Sequence, residues 1–229
     1  MSNIGKSQAN TLLFNEVKKT IGSKMAYAAI EGNILTAAKG EQKKTFLLTS
    51  SVSGEGKTFT TLVMTQSLAS SSNAKVLLIE GNVHKPQLAQ AFELNRKGMG
   101  MYEYFSAECE PKDAIVETGH QNIFLMPLSD NNKPNIDRCF HRDLFEKQLN
   151  KLKESDFDYI LLDGSAVIGF SDTLAVAKFF DSVILVIECE KTKWEVVQLA
   201  SEKLSMVKAE KLGTILNKRS YPIPKKFYS

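Results

Sequence analysis

Residues 45–58 read TFLLTSSVSGEGKT, and the fold turns on this stretch. Thr45–Thr49 is a short apolar run of the kind that forms a buried strand. A glycine-containing loop follows, and an apolar helix opens at Lys57. The loop matches the phosphate-binding pattern G-x-x-x-x-G-K-[ST] at Gly56, Lys57 and Thr58, with Ser51 at the place of the first glycine. In such a loop the backbone N–H groups turn inward, and together with the positive helix end they bind the phosphates of ATP. Lys57 is placed to reach the β- and γ-phosphates, and Thr58 to set its hydroxyl on Mg²⁺. The bland reading is a glycine-rich surface turn. A strand immediately before and a helix immediately after argue against it.

Outward from this loop, strands and helices alternate. Lys75–Glu80, Ile123–Leu128, Tyr159–Asp163, Ser182–Glu188 and Lys211–Leu216 read as further strands. Lys57–Ser70, Arg142–Glu154, Ser171–Phe180 and Lys193–Val207 read as helices, and so does Ser23–Lys39 ahead of the first strand. Residues 86–118 read as helical and mixed. Runs rich in Val, Ile and Leu suit parallel strands buried on both faces. The expected fold is therefore a doubly wound α/β domain, a mostly parallel sheet flanked by helices. It divides into a flexible segment 1–20, a nucleotide-binding domain 21–217 and a basic, tyrosine-containing tail 218–229.

The chain has 229 residues, 43% hydrophobic and 24% charged, with a net charge of +3. That balance is ordinary for a globular protein and does not point to nucleic acid. Cys109, Cys139 and Cys189 are far apart and form no C-x-x-C, so neither zinc nor a disulfide framework is indicated. A reducing cytoplasm is the expected compartment. No signal-peptide pattern and no membrane-spanning apolar run is expected, so any work at a membrane needs a partner to hold the chain there.

Two acidic residues close apolar runs. Asp163 ends YILLD, the usual form of an acid that holds Mg²⁺ in such sites. Its plain alternative is an Asp capping the next loop. Glu80 ends VLLIE and could hold a metal water or polarise an attacking group. His84 stands alone and receives no assignment.

These residues resemble the cytoplasmic domain of bacterial tyrosine kinases (BY-kinases) of capsule and exopolysaccharide export, within the wider MinD/ParA-like group. SSVSGEGKT is similar to the family's S-S-x-P-G-E-G-K-S/T, with Ser53 where Pro is usual. FDYILLDGSAV resembles F-D-Y-I-I-I-D-T-P-P, and Ser171-Asp172 the S-D that follows. AYAAIEGNI resembles the family's early helix, and GTILNKRSYPIPKKFY its C-terminus. The resemblance implies nucleotide contacts from Ser53, Gly54, Glu55, Gly56, Lys57, Thr58, Phe59 and Asn217. It implies Mg²⁺ ligation by Thr58, Asp163 and Glu80, and catalysis by Lys57, Asp163 and Glu80. Tyr221 and Tyr228 become the candidate phospho-acceptors. A membrane chain-length regulator becomes the expected partner, placing the chain at the inner face of the membrane, with self-association possible.

The departures shape the expected activity. Where the family carries D-x-D-x-R, this chain has Glu80, Asn82 and His84. An Asn cannot carry the charge or take the proton that a carboxylate can. Met25, Ala28 and Glu31 replace the E-x-x-R-x-x-R that pairs subunits into a ring. The expectation is an ATP-binding member with tyrosine autokinase activity weak or lost. The alternatives are a MinD/ParA-like ATPase switch, against which the missing early lysine in residues 50–53 counts, and a scaffold that holds nucleotide without turnover.

Overall fold

The computed structural model describes residues 43–71, 73–94, 98–130 and 136–218. The helix expected at Ser23–Lys39, the ring positions Met25, Ala28 and Glu31, and both candidate acceptor tyrosines lie outside the described residues.

The described chain runs β1 (Thr45–Ser50), α1 (Lys57–Ser71), β2 (Val76–Glu80), α2 (Leu88–Ala91), α3 (Met101–Phe105), α4 (Pro111–Ala114), β3 (Val116–Glu117) and β4 (Ile123–Met126). It continues through α5 (Ile136–Cys139), α6 (Arg142–Lys153), β5 (Tyr159–Asp163), α7 (Asp172–Val176), a 3₁₀ turn, β6 (Ser182–Glu188), α8 (Trp194–Met206) and β7 (Lys211–Asn217). Seven strands form one sheet in the order β3-β4-β2-β5-β1-β6-β7. Every pairing is parallel except β3 with β4. The expected doubly wound sheet is present. β3 was not foreseen, because two residues carry no readable alternation.

β1, β2 and β5 are buried on both faces, which is why they read as unbroken apolar runs. One face packs under α1, where Phe46, Leu48, Val76, Leu78 and Leu161 meet Leu62 and Leu68. The opposite face carries Leu47, Ile79, Leu162 and Leu185 against α3, α6 and α8, with Phe105 stacked on Phe145 at 4.1 Å. α1 is threonine-rich for a buried helix. Thr60, Thr61 and Thr65 each donate their hydroxyl to the carbonyl four residues earlier, so these three hydroxyls are satisfied where they are buried.

β1 and β5 stand beside each other at the middle of the sheet, and their ends define the site. Leu48 is level with Asp163, and Asp163 is level with Glu80 on β2. Parallel order thus brings the phosphate loop and both acids to one end of the sheet, where open α/β sheets place their ligands.

Candidate functional site

The loop between β1 and α1 turns on two residues. Gly54 and Gly56 have φ of +94° and +93°, a region costly for any residue with a Cβ. Ser51 is not among the positive-φ residues, so the backbone there asks nothing that only glycine can give. The departure from the pattern at Ser51 is therefore compatible with the loop. A Cβ on Gly56 would also lie 2.0 Å from Asn217 Nδ2.

The loop is braced from three sides. The buried Glu55 carboxylate accepts from Val52 N (2.8 Å), Glu188 N (3.2 Å) and Thr192 Oγ1 (2.5 Å). It ties the loop to the end of β6, and its side chain faces protein. Asn217 Nδ2 donates to Glu55 O at 2.9 Å. Lys218 Nζ donates to Gly54 O at 2.7 Å and reaches Glu188 Oε2 at 3.1 Å. On the other flank Val167 N and Ile168 N donate to Ser50 O and Ser51 O. Lys218 was missed as a site residue because it reads as part of a basic tail. No local pattern shows that β7 ends against the loop.

α1 begins at Lys57, so its first N–H groups have no intrahelical acceptor and face the loop. Lys57 Nζ donates to Ser50 Oγ at 3.0 Å. Burial pulls the Lys57 ammonium below its usual range, while Asp163 and Glu55 pull the other way. Thr58 Oγ1 donates to Asp163 Oδ2 at 2.6 Å. Asp163 is buried, and its Oδ1 has no hydrogen-bond partner. Burial raises its carboxyl to about 6 against the opposing pull of Thr58 and Lys57, and nearby Glu80 adds to the rise. A buried carboxylate with one open oxygen, touching a threonine hydroxyl at a helix start, fits a hard cation with oxygen ligands. The site residues Thr58 and Asp163 therefore suit Mg²⁺, and the glycine loop suits phosphate.

Glu80 lies at the right strand end, but its oxygens are engaged. Oε1 accepts from Leu88 N (2.7 Å) and Ala89 N (3.4 Å), and Oε2 from Leu128 N (3.2 Å). The longer side chain reaches past the strand end to hold the start of α2 and the turn just after β4. Asn82 Oδ1 accepts from Lys85 N at 3.3 Å, closing a turn. Gly81 and Gly164 let these turns pass close together. A Cβ on Gly81 would lie 2.6 Å from Leu162 Cδ2, and one on Gly164 would lie 2.8 Å from Leu47 Cδ1.

His84, unassigned from the sequence, stacks on Phe170 at 3.9 Å between ring centroids. Its Nε2 is 3.4 Å from Asp172 Oδ1, and Asp172 Oδ2 accepts from Ser165 Oγ at 2.7 Å. This chain joins the loop after β2 to the loop after β5. The Ser171-Asp172 pair was visible in the sequence, but its partner across the site was not.

A strand, a phosphate loop, a helix and an acid on the neighbouring strand define a P-loop nucleotide-binding protein. The model for the AAA_31 family, described as AAA domain, matches residues 43–217, and the chain belongs to that family. The tyrosine-protein kinase CpsD of Streptococcus agalactiae serotype Ia is 29% identical over 194 residues, covering 85% of this chain and 82% of that one. The tyrosine-protein kinase YwqD of Bacillus subtilis is 25% identical over 215 residues, covering 93% and 87%. Among solved structures, the VpsO kinase domain superposes with a TM-score of 0.74 at 26% identity, covering 89% of this chain and 98% of that one. The septum site-determining protein MinD from Pyrococcus horikoshii, complexed with Mg-ADP, superposes at 0.64 with 20% identity, covering 80% and 75%. That likeness shows the shared fold. The chain is thus a divergent member of the group of P-loop proteins that includes the BY-kinases. Among the described residues, no helix is long and apolar enough to cross a membrane.

Proposed function

We propose that the chain binds ATP with Mg²⁺ and serves capsule or exopolysaccharide production as a BY-kinase-like protein whose tyrosine phosphotransfer is weak or lost. The observation that carries the reading is the Thr58–Asp163 contact, with Asp163 Oδ1 open beside Lys57. In this reading Ser53, Gly54, Glu55, Gly56 and Phe59 offer the phosphates backbone N–H groups, and Lys57 offers charge. Asn217 steadies the loop from β7 and stands ready to meet the base. Bound Mg²⁺ would neutralise charge on the β- and γ-phosphates, and Thr58 and Asp163 would hold it.

Transfer to a tyrosine forms a bond from the phenol oxygen to the γ-phosphorus, releases ADP, and hands the phenolic proton to a base. Supply of that base is where this chain differs. Glu80 already accepts three backbone N–H groups, and Asn82 is uncharged. Weak transfer follows because neither the engaged Glu80 nor the uncharged Asn82 is available to take the phenolic proton. Tyr221 and Tyr228 remain the proposed acceptors, and a membrane chain-length regulator the proposed partner at the inner face of the membrane. A P-loop domain over 21–217 with a separate tail is the proposed division.

Single-turnover assays with labelled ATP decide the point, comparing wild type, Asn82→Asp, and Glu80→Asp with Asn82→Asp. Tyrosine labelling should rise by one to several orders of magnitude in the double variant, since misplacing a catalytic group by ~1 Å costs on the order of 100-fold. Wild type labelling as fast as the double variant would sink the degraded-site reading. ATP hydrolysis without phosphotyrosine would favour the switch.

A further inference from the structure

On the face of the sheet that α8 covers, a groove of about 610 Å³ runs between α8 and the edge strand β7. Its floor is Leu185 and Thr214, which are level in the sheet. Its wall is one helical face of α8: Trp194, Val197, Glu202 and Met206. The two ends are apolar and exposed, Trp194 at 72% and Met206 at 82%. Neither is accounted for by the core or by the nucleotide site.

We propose that the groove seats the chain's own C-terminal residues 219–229, RSYPIPKKFYS, laid along α8 from Trp194 to Met206. The topology starts them in the right place. β7 ends level with Glu188, at the same end of the sheet where α8 begins, and Lys218 is pinned there by Gly54 and Glu188. Residues 219–221 can span the roughly 10 Å from sheet to helix layer. From there the tail runs in the same direction as α8.

The spacing also agrees. Along α8, Glu202 lies about 12 Å and Met206 about 18 Å below Trp194. Pro222 and Pro224 hold their neighbours extended, and such a chain advances about 3.1 Å per residue. With Tyr221 on Trp194, Lys225 falls about 12 Å down, beside Glu202, and Phe227 about 19 Å down, on Met206. Proline-rich segments dock on aromatic-lined grooves in this manner. The charges match the same register. The tail carries Arg219, Lys225 and Lys226 and no acid. Glu202 is the acid of the groove's middle. Lys211 lies at the same level of α8, its ammonium already bonded to the hydroxyls of Ser201 and Ser205. Docked so, Tyr228 rests near the far end of α8, away from the phosphate loop.

Trp194 is the only tryptophan in the sequence, so its fluorescence reports on the groove directly and independently of catalysis. The full chain is compared with Tyr221→Ala/Phe227→Ala, with Glu202→Lys, and with Glu202→Lys combined with Lys225→Glu and Lys226→Glu. Acrylamide quenching and emission wavelength are read at two protein concentrations, with far-UV circular dichroism to confirm folding. Wild type should be shielded, the aromatic double variant quenched severalfold more with red-shifted emission, Glu202→Lys intermediate, and the charge swap restored. Equal quenching of wild type and Tyr221→Ala/Phe227→Ala would overturn the proposal, as would a swap that restores nothing. Shielding that vanishes on dilution would assign the groove to a second copy and overturn it too.

Discussion

At the scale of single residues, the phosphate loop depends on a few atoms with no substitutes. Lys57 is held by Ser50 with its charge buried, so its ammonium is poised for anionic oxygens. Removing a charged hydrogen-bond donor costs ~1.5–3 kcal/mol. Calorimetric titration should therefore show Lys57→Ala binding ATP–Mg²⁺ on the order of 100-fold more weakly than wild type, and equal affinities would rule out this site. Gly56 fails differently. Gly56→Ala forces a Cβ into Asn217 Nδ2 at a φ of +93°, so the loop must move or Asn217 must leave. ATP affinity should fall while circular dichroism stays that of a folded protein, and Gly56→Ala with Asn217→Ala should recover part of the loss, since only the clash is relieved and the strained φ remains.

At the scale of elements, the end of the sheet opposite the phosphate loop is knotted by one carboxylate. Asp181 accepts from Lys44 N, Thr45 N and Thr45 Oγ1, and takes Lys153 Nζ at 2.6 Å, joining β1, β6 and the end of α6. Partial burial raises its carboxyl, but the hydrogen bonds from Lys153, Thr45 and Lys44 together outweigh it and leave it below the ordinary range. A depressed carboxyl contributes stability above its unfolded value of about 3.9, and loses it as pH falls through the folded value. Asp181→Ala should therefore cost ~1.5–3 kcal/mol at neutral pH. In denaturant titrations the gap to wild type should narrow below about pH 4. A gap that is constant with pH would mean that packing, not charge, holds this knot.

The elements also show what a sequence can disclose. β1, β2, β5 and β6 were legible because strands buried on both faces must be apolar throughout, and the loop was legible because phosphate cradling demands Gly56, Lys57 and Thr58 in one run. Asp163 was legible as a strand end. The use of Glu80 was not, because whether a carboxylate meets a metal or the N–H groups of Leu88 and Leu128 is decided by loops 8 and 48 residues away. His84 was opaque for the same reason, since Phe170 and Asp172 reach it only through the fold. Residues 86–118 gave a mixed signal because their described part holds helices of only four or five residues and the two-residue β3, too short to show a period.

At the scale of the whole molecule, the site gathers at the ends of parallel strands. The loop is held by β5, β6 and β7 together, so a bound nucleotide should stabilise the fold and not only the loop. Nucleotide at 100 times its dissociation constant adds about 2.7 kcal/mol to the folded state. Thermal melts should rise by a few degrees with ATP–Mg²⁺, and Lys57→Ala should abolish the rise. A melt indifferent to nucleotide in wild type would contradict a site built across three strands.

The two ties at the end of β7 also make the molecule a lever. Tension on residues beyond 218 reaches the phosphate loop through Lys218 on Gly54 O and Asn217 on Glu55 O before β7 shears from β6. Anything that tugs the tail therefore tugs the nucleotide's seat, and a bound nucleotide resists the tug. In an optical trap, with handles on the tail and on β1, ATP–Mg²⁺ should raise the force at which the C-terminal end first yields. Asn217→Ala with Lys218→Ala should erase that difference, because the loop then no longer senses load.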